Sequence, residues 1–246
     1  ALINDISKWT NVTLDPTNSR VMKLDISANA IHGAIPAELF PRYPVIGVAL
    51  AHMQRLYMSD NQISCATVPD FSPLQQLEVL DLSENAFHGK IAALRLPPSI
   101  RNLDLGFNFF AGPLTAQWLR TIPRVQVLGL AGNGLSCDLP SSGWHHLQSL
   151  EHLYASRCKL SGPVPARLAD SQRLVTIDLG ENECLEDSIP ESLVELQGLQ
   201  LLRLEGCRGL ADTKQVQHAL QERSRPVCCQ FWGLQATNSP QPSSLP

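Results

Sequence analysis

The amino-acid sequence predicts a solenoid, in which similar structural units stack in a row around one continuous core. Three observations predict this fold class: a motif that recurs along most of the chain, a strand-like alternation of apolar residues within each copy, and an asparagine or cysteine that ends each copy. A single copy cannot bury its apolar side alone, so neighbouring copies must stack. The 246 residues are therefore expected to form one elongated repeat domain.

Each copy of the motif begins with apolar residues at alternate positions and reaches an asparagine or cysteine, which we call the pivot residue. The copies include VMKLDISANAI at Val21–Ile31 and LEVLDLSENAF at Leu77–Phe87. Successive pivots lie about 24 residues apart, except that about eight additional residues near Pro41–Val48 lengthen the first step. The eight predicted pivots are Asn29, Asn61, Asn85, Asn108, Asn133, Cys158, Asn182 and Cys207.

The alternation predicts a short strand in each copy, with side chains directed to opposite faces of a parallel sheet. In the third copy, Leu80 and Leu82 would face the core, whereas Val79, Asp81 and Ser83 would face outward. Eight strands at a spacing of ~4.8 Å give a sheet roughly 34 Å wide. Where the chain turns after the strand, a buried pivot asparagine can satisfy backbone N–H and C=O groups that would otherwise lack partners.

A shared ending after the pivot, AIHGAIP at Ala30–Pro36 and KLSGPVP at Lys159–Pro165, completes the pattern LxxLxLxxNxLxGxIP. This pattern resembles the plant-type leucine-rich repeat, which occurs in plant receptor ectodomains and polygalacturonase-inhibiting proteins and also in protists and bacteria. The resemblance implies a leucine-rich-repeat solenoid of the α/β type, with a curved parallel β-sheet on its concave face. It also implies 3₁₀, irregular and short helical segments on the convex face, and a cap at each end.

The predicted organisation is a repeat array capped at both ends. We expect an N-terminal cap over 1–20, eight repeats over 21–210, a C-terminal capping helix and apolar lid over 211–235, and a polar tail over 236–246. The apolar residues expected to cover the first strand are Leu2, Ile3, Ile6, Trp9 and Val12. Those expected in the C-terminal cap are Val216 and Leu220 in the helix, then Phe231, Trp232 and Leu234 in the lid.

The placement of the seven cysteines bears on the cellular compartment. The pivots Cys158 and Cys207 would lie two strands apart, about 9.6 Å, which is beyond the reach of a disulfide. Cys184 is predicted to fill an inward leucine position in the core. Cys228 and Cys229 fall in the C-terminal cap, where their redox state is open. Reduced structural thiols favour an intracellular, cytoplasmic protein over an extracellular one.

Composition argues against several kinds of partner. A net charge of −4 and a scarcity of lysine give no nucleic-acid-binding footprint. The longest apolar stretch, Val45–Met53, is too short to span a bilayer. The single N-glycosylation sequon, Asn11–Thr13, is the observation that favours the extracellular alternative. A protein partner is therefore expected, while its identity and the oligomeric state of the chain stay open.

No constellation of residues favours catalysis or a bound cofactor. The sequence lacks the short motifs of hydrolases, metalloproteases and phosphate-binding loops. His145 and His146 are adjacent and cannot share a helical face, so a metal site is not expected there. An outward column of aspartates resembles paired carboxylates, although the plant-type repeat commonly has Asp at that position. The column consists of Asp25, Asp81, Asp104 and Asp178. We expect no enzyme, no metal and no cofactor.

The outward residues of the sheet form the candidate binding surface, because repeat solenoids use their concave face for partners and Tyr and Arg are enriched at binding hot spots. The predicted partner-binding residues are Arg55, Tyr57, Val79, Asn102, Phe107, Val127, His152, Tyr154, Arg157 and Arg203. The leading hypothesis is a non-enzymatic protein-interaction or scaffold module, either free-standing or a subunit of a larger assembly. The alternative is an extracellular recognition, receptor or hydrolase-inhibitor domain.

Overall fold

The computed structural model of the protein describes residues 11–17, 20–35, 50–65, 67–211, 213–222 and 227–230. Most of the predicted N-terminal cap, the insertion at 41–48, the lid residues and the tail at 236–246 lie outside the described residues. The described residues form a solenoid with one large β-sheet and several smaller sheets beside it.

Short strands account for most of the regular structure in the described chain. In chain order they are β1 (Val12–Leu14), β2 (Val21–Asp25), β3 (His32–Ile35), β4 (Arg55–Tyr57), β5 (Gln62–Cys65), β6 (Val79–Asp81), β7 (His88–Lys90), β8 (Asn102–Asp104), β9 (Phe109–Ala111), β10 (Val127–Gly129), β11 (His152–Tyr154), β12 (Ser161–Pro163), β13 (Thr176–Asp178), β14 (Cys184–Ser188), β15 (Leu201–Arg203), β16 (Gly209–Ala211) and β17 (Cys228–Gln230).

The largest sheet within the described residues has ten strands, in the order β1-β2-β4-β6-β8-β10-β11-β13-β15-β17. The eight predicted repeats each supply one strand, and these strands run parallel, which confirms the predicted solenoid. The sheet is wider than predicted because residues outside the repeats pair with both of its ends. At one end β1 lies antiparallel to β2, and at the other β17 lies parallel to β15.

The strands are aligned so that the middle residues of neighbouring strands pair with each other. Leu80, Leu103 and Leu128 are paired in this way, and each is fully buried. Burial of one such side chain contributes roughly 1.5–3 kcal/mol, so the row accounts for much of the core. The buried middle residues are Leu56, Leu80, Leu103, Leu128, Leu153, Ile177 and Leu202.

After each pivot the chain continues on the flank of the solenoid and then returns to the next strand. On the flank, β3 pairs with β5, β7 pairs with β9, and β14 pairs with both β12 and β16. Short helices then carry the chain back, as predicted for the convex face. They are α1 (Ala116–Leu119), α2 (Glu191–Val194) and the 3₁₀ helices Ile91–Ala93, Trp144–His146 and Ala166–Asp170.

A longer helix, α3 (Thr213–Gln221), follows the last repeat. Its Val216 and Leu220 are buried, with 8% and 0% of their surface exposed, so this helix covers apolar surface at the C-terminal end of the core. Across the described ranges, none of the helices combines the length and the apolar character that crossing a bilayer requires.

One prediction for the core was wrong, because Cys184 is exposed and Leu185 takes the buried position. The segment Asn182–Pro190 is one residue longer than the corresponding segment Asn29–Pro36 of the first repeat. The additional residue shifts the buried position by one, and Asp187 adopts a left-handed φ of 66° within β14. The regular spacing between the pivot and the next buried residue therefore does not hold in the seventh repeat.

Candidate partner-binding face

The pivot residues hold the turns that follow the strands of the large sheet. Asn182 is fully buried, and its Oδ1 accepts hydrogen bonds from the N–H groups of Cys158 (2.9 Å) and Leu160 (3.0 Å). Its Nδ2 donates to the carbonyl oxygens of Leu179 (2.7 Å), Ala155 (2.9 Å) and Gly180 (3.3 Å). One side chain thus satisfies backbone groups of two adjacent repeats, which is the structural role predicted for the pivots.

The same connection recurs along the solenoid, and we call the series of pivot asparagines the asparagine ladder. In each case, Oδ1 of a pivot accepts the N–H of the residue two positions after the preceding pivot. The pairs are Asn61 with Ile31 (2.8 Å), Asn85 with Ile63 (2.9 Å), Asn108 with Phe87 (3.0 Å), Asn133 with Phe110 (2.9 Å) and Asn182 with Leu160 (3.0 Å).

A pivot cysteine reproduces only part of this connection. The Sγ of Cys158 contacts the carbonyl oxygens of Leu130 (3.1 Å) and Ser156 (3.4 Å), as the amide nitrogen of asparagine would. However, a thiol has no carbonyl oxygen to accept the N–H of Leu135, which occupies the corresponding position two residues after Asn133. The ladder is therefore interrupted between the fifth and sixth repeats.

We expect Cys158→Asn to raise the free energy of unfolding by about 1 kcal/mol, because the new Oδ1 would accept the N–H of Leu135 within a buried turn. Urea denaturation followed by circular dichroism measures this change. Cys158→Ala is the matched control and should lower stability, since it removes the thiol contacts without adding an acceptor. A less stable Cys158→Asn protein would contradict the proposed geometry.

The residue before each pivot adopts a left-handed backbone conformation and lies at the rim of the concave face, so we call this series the rim row. Left-handed residues are usually glycine, yet most of these positions carry other side chains. The rim row consists of Ala28, Asp60, Glu84, Phe107, Gly132, Arg157, Glu181 and Gly206, with φ values between 51° and 75°. At Gly132 a Cβ atom would lie 2.7 Å from Cδ1 of Phe107, so glycine there leaves room for that ring.

Two rows of outward side chains cross the concave face, one on each side of the buried middle row. We call them the first row, one residue before the middle residue of each strand, and the third row, one residue after it. The first row consists of Lys23, Arg55, Val79, Asn102, Val127, His152, Thr176 and Leu201. The third row consists of Asp25, Tyr57, Asp81, Asp104, Gly129, Tyr154, Asp178 and Arg203. Because strands in a sheet lie ~4.8 Å apart, side chains in each row are close enough to interact with their neighbours.

Cations accompany the aspartates at the two ends of the third row. Lys23 Nζ lies 3.4 Å from Oδ2 of Asp25 and 4.9 Å from the centre of the Tyr57 ring, which is a cation–π geometry. At the other end, Nη1 of Arg203 lies 3.1 Å from Oδ2 of Asp178, a carboxylate that is 5% exposed. Both ends of the row are therefore close to electrically neutral.

The aspartates in the middle of the row, Asp81 and Asp104, lie directly opposite each other on adjacent strands. Asp81 is 7% exposed, and its Oδ1 accepts hydrogen bonds from the N–H (3.0 Å) and the hydroxyl (2.6 Å) of Ser83. Burial raises the pKa of Asp104 to about 6, and the charges of Asp81 and Glu84 add to this effect. The hydrogen bond from the Gly106 N–H (2.8 Å) opposes it.

The aspartate column also has a local structural role. Asp25, Asp81, Asp104 and Asp178 each accept the backbone N–H two residues further along, where the chain leaves the strand. Such turns are typical of aspartate and account for its recurrence without catalysis. All four aspartates also have a charged neighbour on the concave face: Lys23 for Asp25, Arg203 for Asp178, and each other for Asp81 and Asp104. The column therefore contributes charge interactions as well as turns.

The structure places most of the predicted partner-binding residues in the two outward rows. The first row contains Arg55, Val79, Asn102, Val127 and His152, and the third row contains Tyr57, Tyr154 and Arg203. Phe107 and Arg157 were expected on strands but lie in the rim row, because they directly precede their pivots. The structure does not test whether any of these residues binds a partner.

Three further residues on or near this face are missing from the predicted set. The sequence placed Asp81 and Asp104 in an outward column that resembles paired carboxylates, but they were not included among the predicted partner-binding residues. Phe109 is 67% exposed and, with Phe107 at 49%, is one of the two large apolar side chains exposed in the described ranges. The position one residue after the pivot is also exposed at Ala30, Gln62, Lys159, Glu183 and Arg208, so alignment of the repeats could have marked Phe109 as exposed.

All seven cysteines lie in the described residues, and all are free thiols. Burial raises the pKa of Cys158 to about 12 and the pKa values of Cys207 and Cys229 to about 11. These thiols are protonated at neutral pH, which makes them poor nucleophiles. A buried thiol such as Cys158 or Cys207 is slow to oxidise, so its reduced state does not require a reducing compartment. Cys184 and Cys228 are exposed and lack this protection.

Comparison with known proteins agrees with this architecture. The family model described as Leucine Rich Repeat matches residues 149–170. Receptor-like protein 6 of Arabidopsis thaliana is 26% identical over 203 residues, which is 77% of this chain and 20% of that protein. Receptor-like protein 41 of the same plant is 30% identical over 200 residues, which is 73% of this chain and 23% of that protein. The chain therefore has the leucine-rich-repeat fold, and it is similar to plant receptor-like proteins.

Solved structures share the fold of this leucine-rich-repeat protein. The Arabidopsis receptor kinase HAESA, in complex with the peptide hormone IDA and the co-receptor SERK1, superimposes with a TM-score of 0.59 at 22% identity, covering 84% of this chain and 44% of that one. The ectodomain of the plant membrane receptor kinase GASSHO1/SCHENGEN3 from Arabidopsis thaliana gives a TM-score of 0.55 at 23% identity, covering 77% and 26%. At such identities the likeness shows the fold alone.

The relatives overturn the predicted intracellular compartment, which was wrong. They are receptor-like proteins and receptor ectodomains, classes found outside the cell or at its membrane. The argument from free cysteines failed because the pivot thiols of Cys158 and Cys207 are buried core groups, whose reduced state does not report the compartment. The relatives support the coarser prediction of a protein-interaction module. The leucine-rich-repeat protein spans about a fifth of the length of the curated relatives it matches, with 20% of one and 23% of another covered.

Proposed function

We propose that this leucine-rich-repeat protein is an extracellular recognition domain that binds a peptide or a protein segment on its concave face. The observation that carries the proposal is its similarity to receptor-like proteins over about three quarters of its length, 77% for one of them. This role corresponds to the alternative hypothesis from the sequence. The exposed side chain of Asn11, in a glycosylation sequon at the start of β1, is compatible with passage through the secretory pathway.

The chemistry of the concave face supports this role. Its first and third rows combine aromatic, basic, acidic and amide side chains, whereas the middle row beneath them is uniformly apolar. Tyr57 and Tyr154 are half-buried in the third row, and each offers a rigid ring to a partner. Aromatic residues in such settings are typical of binding hot spots. The proposed contact residues are those of the predicted partner-binding set.

The proposal is tested by photo-crosslinking a partner from defined positions on the chain. The secreted chain, with a photo-crosslinking amino acid at Val127, is exposed to extracellular fluid of the source organism, and crosslinked proteins are identified by mass spectrometry. A matched version carries the crosslinker at Arg167, in a 3₁₀ helix on the return path. We expect a partner that crosslinks to Val127 and not to Arg167. Equal crosslinking at both positions would argue against a concave binding face.

Substitution of the two tyrosines should then weaken binding of the captured partner. We expect Tyr57→Ala combined with Tyr154→Ala to raise the Kd at least tenfold, because two hot-spot rings are lost from the centre of the face. Isothermal titration calorimetry measures the Kd, and circular dichroism confirms that the variant is folded at the assay temperature. Arg167→Ala is the control and should leave the Kd unchanged. An unaltered Kd in the double variant would show that the two tyrosines do not contribute to binding.

A further inference from the structure

The third row has an unbalanced negative charge at its centre. Asp25 is paired with Lys23 and Asp178 with Arg203, but within the described ranges neither Asp81 nor Asp104 has a lysine, arginine or histidine partner. These two carboxylates face each other across adjacent strands, which is an unfavourable arrangement for like charges. Asp81, which is 7% exposed, and Asp104 therefore lie on the face that we propose for binding with backbone and hydroxyl donors but with no cation among the described residues.

The neighbours of this pair are suited to a cation. Tyr57 precedes Asp81 in the third row, and Tyr154 follows Asp104 after the gap left by Gly129. At Gly129 a Cβ atom would lie 2.6 Å from Oδ1 of Asp104, so only glycine leaves that carboxylate its position. Lys23 Nζ lies 4.9 Å from the centre of the Tyr57 ring, so this ring already takes part in a cation–π contact within the protein.

The length of the third row between Tyr57 and Tyr154 fits a short stretch of extended polypeptide. From Tyr57 to Tyr154 the row crosses four strand spacings, roughly 19 Å. About six residues of extended polypeptide cover this distance. A segment lying across the strands would place one or two of its side chains over the carboxylates and others over the tyrosine rings.

We propose that the part of the third row from Tyr57 to Tyr154 binds an extended segment of a protein partner through a lysine or arginine side chain held between Asp81 and Asp104. This inference rests on the proposed function, since it assumes that the concave face is the binding face. The charge complementarity is specific to the centre of the row, because the ends already carry their own cations. A partner with an acidic segment would be repelled from the same place.

The electrostatics of Asp104 agree with this assignment. Burial first, and then the charges of Asp81 and Glu84, raise its pKa to about 6, so part of the population is protonated under mildly acidic conditions. A bound cation favours the ionised carboxylate, so binding should tighten as pH rises from about 5 to 7. Two facing carboxylates that cost stability in the free protein are also typical of positions kept for binding.

A randomised nine-residue peptide library displayed on phage, selected against the intact chain at pH 7.5, tests the inference. We expect the enriched peptides to share a lysine or arginine. In the double variant Asp81→Asn with Asp104→Asn, their Kd should rise at least tenfold. Replacing the shared basic residue of a peptide by glutamine should cause a similar loss, and the two changes together should not be additive. Asp25→Asn is the matched control and should leave the Kd unchanged, because Lys23 already neutralises that carboxylate.

The outcomes separate this inference from the proposed function. Peptides that lose binding on Tyr57→Ala with Tyr154→Ala, but share no basic residue and tolerate the Asp81 and Asp104 changes, would overturn the inference and leave the proposed function standing. Failure to enrich any peptide, or enrichment of peptides that tolerate every substitution on the concave face, would overturn both. Binding of calcium ions alone to the carboxylate pair, measured by calorimetry, would also overturn the assignment to a basic side chain.

Discussion

Asn182→Ala is expected to lower the free energy of unfolding by roughly 3–4 kcal/mol, the largest effect of any single substitution considered for this protein. The side chain is fully buried and makes five hydrogen bonds to backbone groups of two adjacent repeats. Alanine would leave two N–H groups and three carbonyl oxygens in the turns without these partners. Each buried group that loses its partner costs about 1–3 kcal/mol, and local relaxation recovers part of the sum.

Asn29→Ala is the matched control, because Asn29 has the same residue type and repeat position but lies at the exposed end of the ladder. Its Nδ2 donates to the carbonyl oxygen of Ser27 at 2.7 Å, beside solvent. We expect this variant to lose less than about 1 kcal/mol, since water can replace the partner. Urea denaturation of both variants, followed by circular dichroism, measures the difference. Equal losses in the free energy of unfolding at the two positions would mean that the contribution of a pivot asparagine to stability does not depend on its burial.

Asp104→Asn is expected to stabilise the protein in a pH-dependent manner. The folded-state pKa of Asp104 is raised from 3.8 to about 6, so the folded protein binds its proton more tightly than the unfolded chain does. The associated stability is complete below pH 4 and is lost as the pH rises through about 6. Asparagine carries no charge and keeps an oxygen for the Gly106 N–H. The variant should therefore be more stable at pH 8 by at most about 3 kcal/mol, and only slightly different at pH 4.

Urea denaturation at intervals between pH 4 and pH 8 measures this dependence for both proteins. The gain of about 3 kcal/mol at pH 8 is an upper limit because the Asp104 carboxyl group keeps some contact with solvent, which screens its interactions. Asp25→Asn provides the control, since its carboxylate already lies 3.4 Å from Nζ of Lys23 and should give no gain at pH 8. A constant difference between Asp104→Asn and the parent protein at every pH would contradict the role of ionisation.

These two expectations distinguish structural polar residues from those available for function. Removing the Asn182 amide should be costly because its bonds are satisfied within the protein. Removing the Asp104 charge should be favourable because its charge has no partner within the described chain. A residue that lowers stability at the centre of a proposed binding face is a typical stability–function compromise. Asp104→Asn should accordingly gain stability and lose affinity for basic peptides.

Much of the architecture was predictable because a repeat limits each residue to a few environments. Leu80 and Asn85 could be assigned to the core and to a pivot from their positions alone, since seven other copies show the same pattern. The outward rows followed from the two-residue period of a strand. The prediction failed where the repeat is irregular, at Cys184, because one additional residue changes which side chain faces inward.

The candidate site was predictable only in part, for a different physical reason. Tyr57 and Tyr154 could be placed on the concave face from spacing, because their positions depend on the local strand. Phe107 and Arg157 were misplaced by the same logic, because the left-handed turn before each pivot moves them to the rim. Whether a charged side chain has an oppositely charged neighbour depends on residues that are far away in sequence. The spacing within one repeat does not reveal those residues.

The sequence by itself therefore determined the solenoid, the asparagine ladder and most of the side chains on the concave face, because these depend on a local pattern repeated many times. Only the tertiary structure decided how the charges on that face are balanced. Residues some 25 positions apart, such as Asp178 and Arg203, become neighbours when the strands align. Asp81 and Asp104 are left facing each other with no cation among the residues that the structure describes. Electrostatic interactions depend on distance in space, and folding sets that distance.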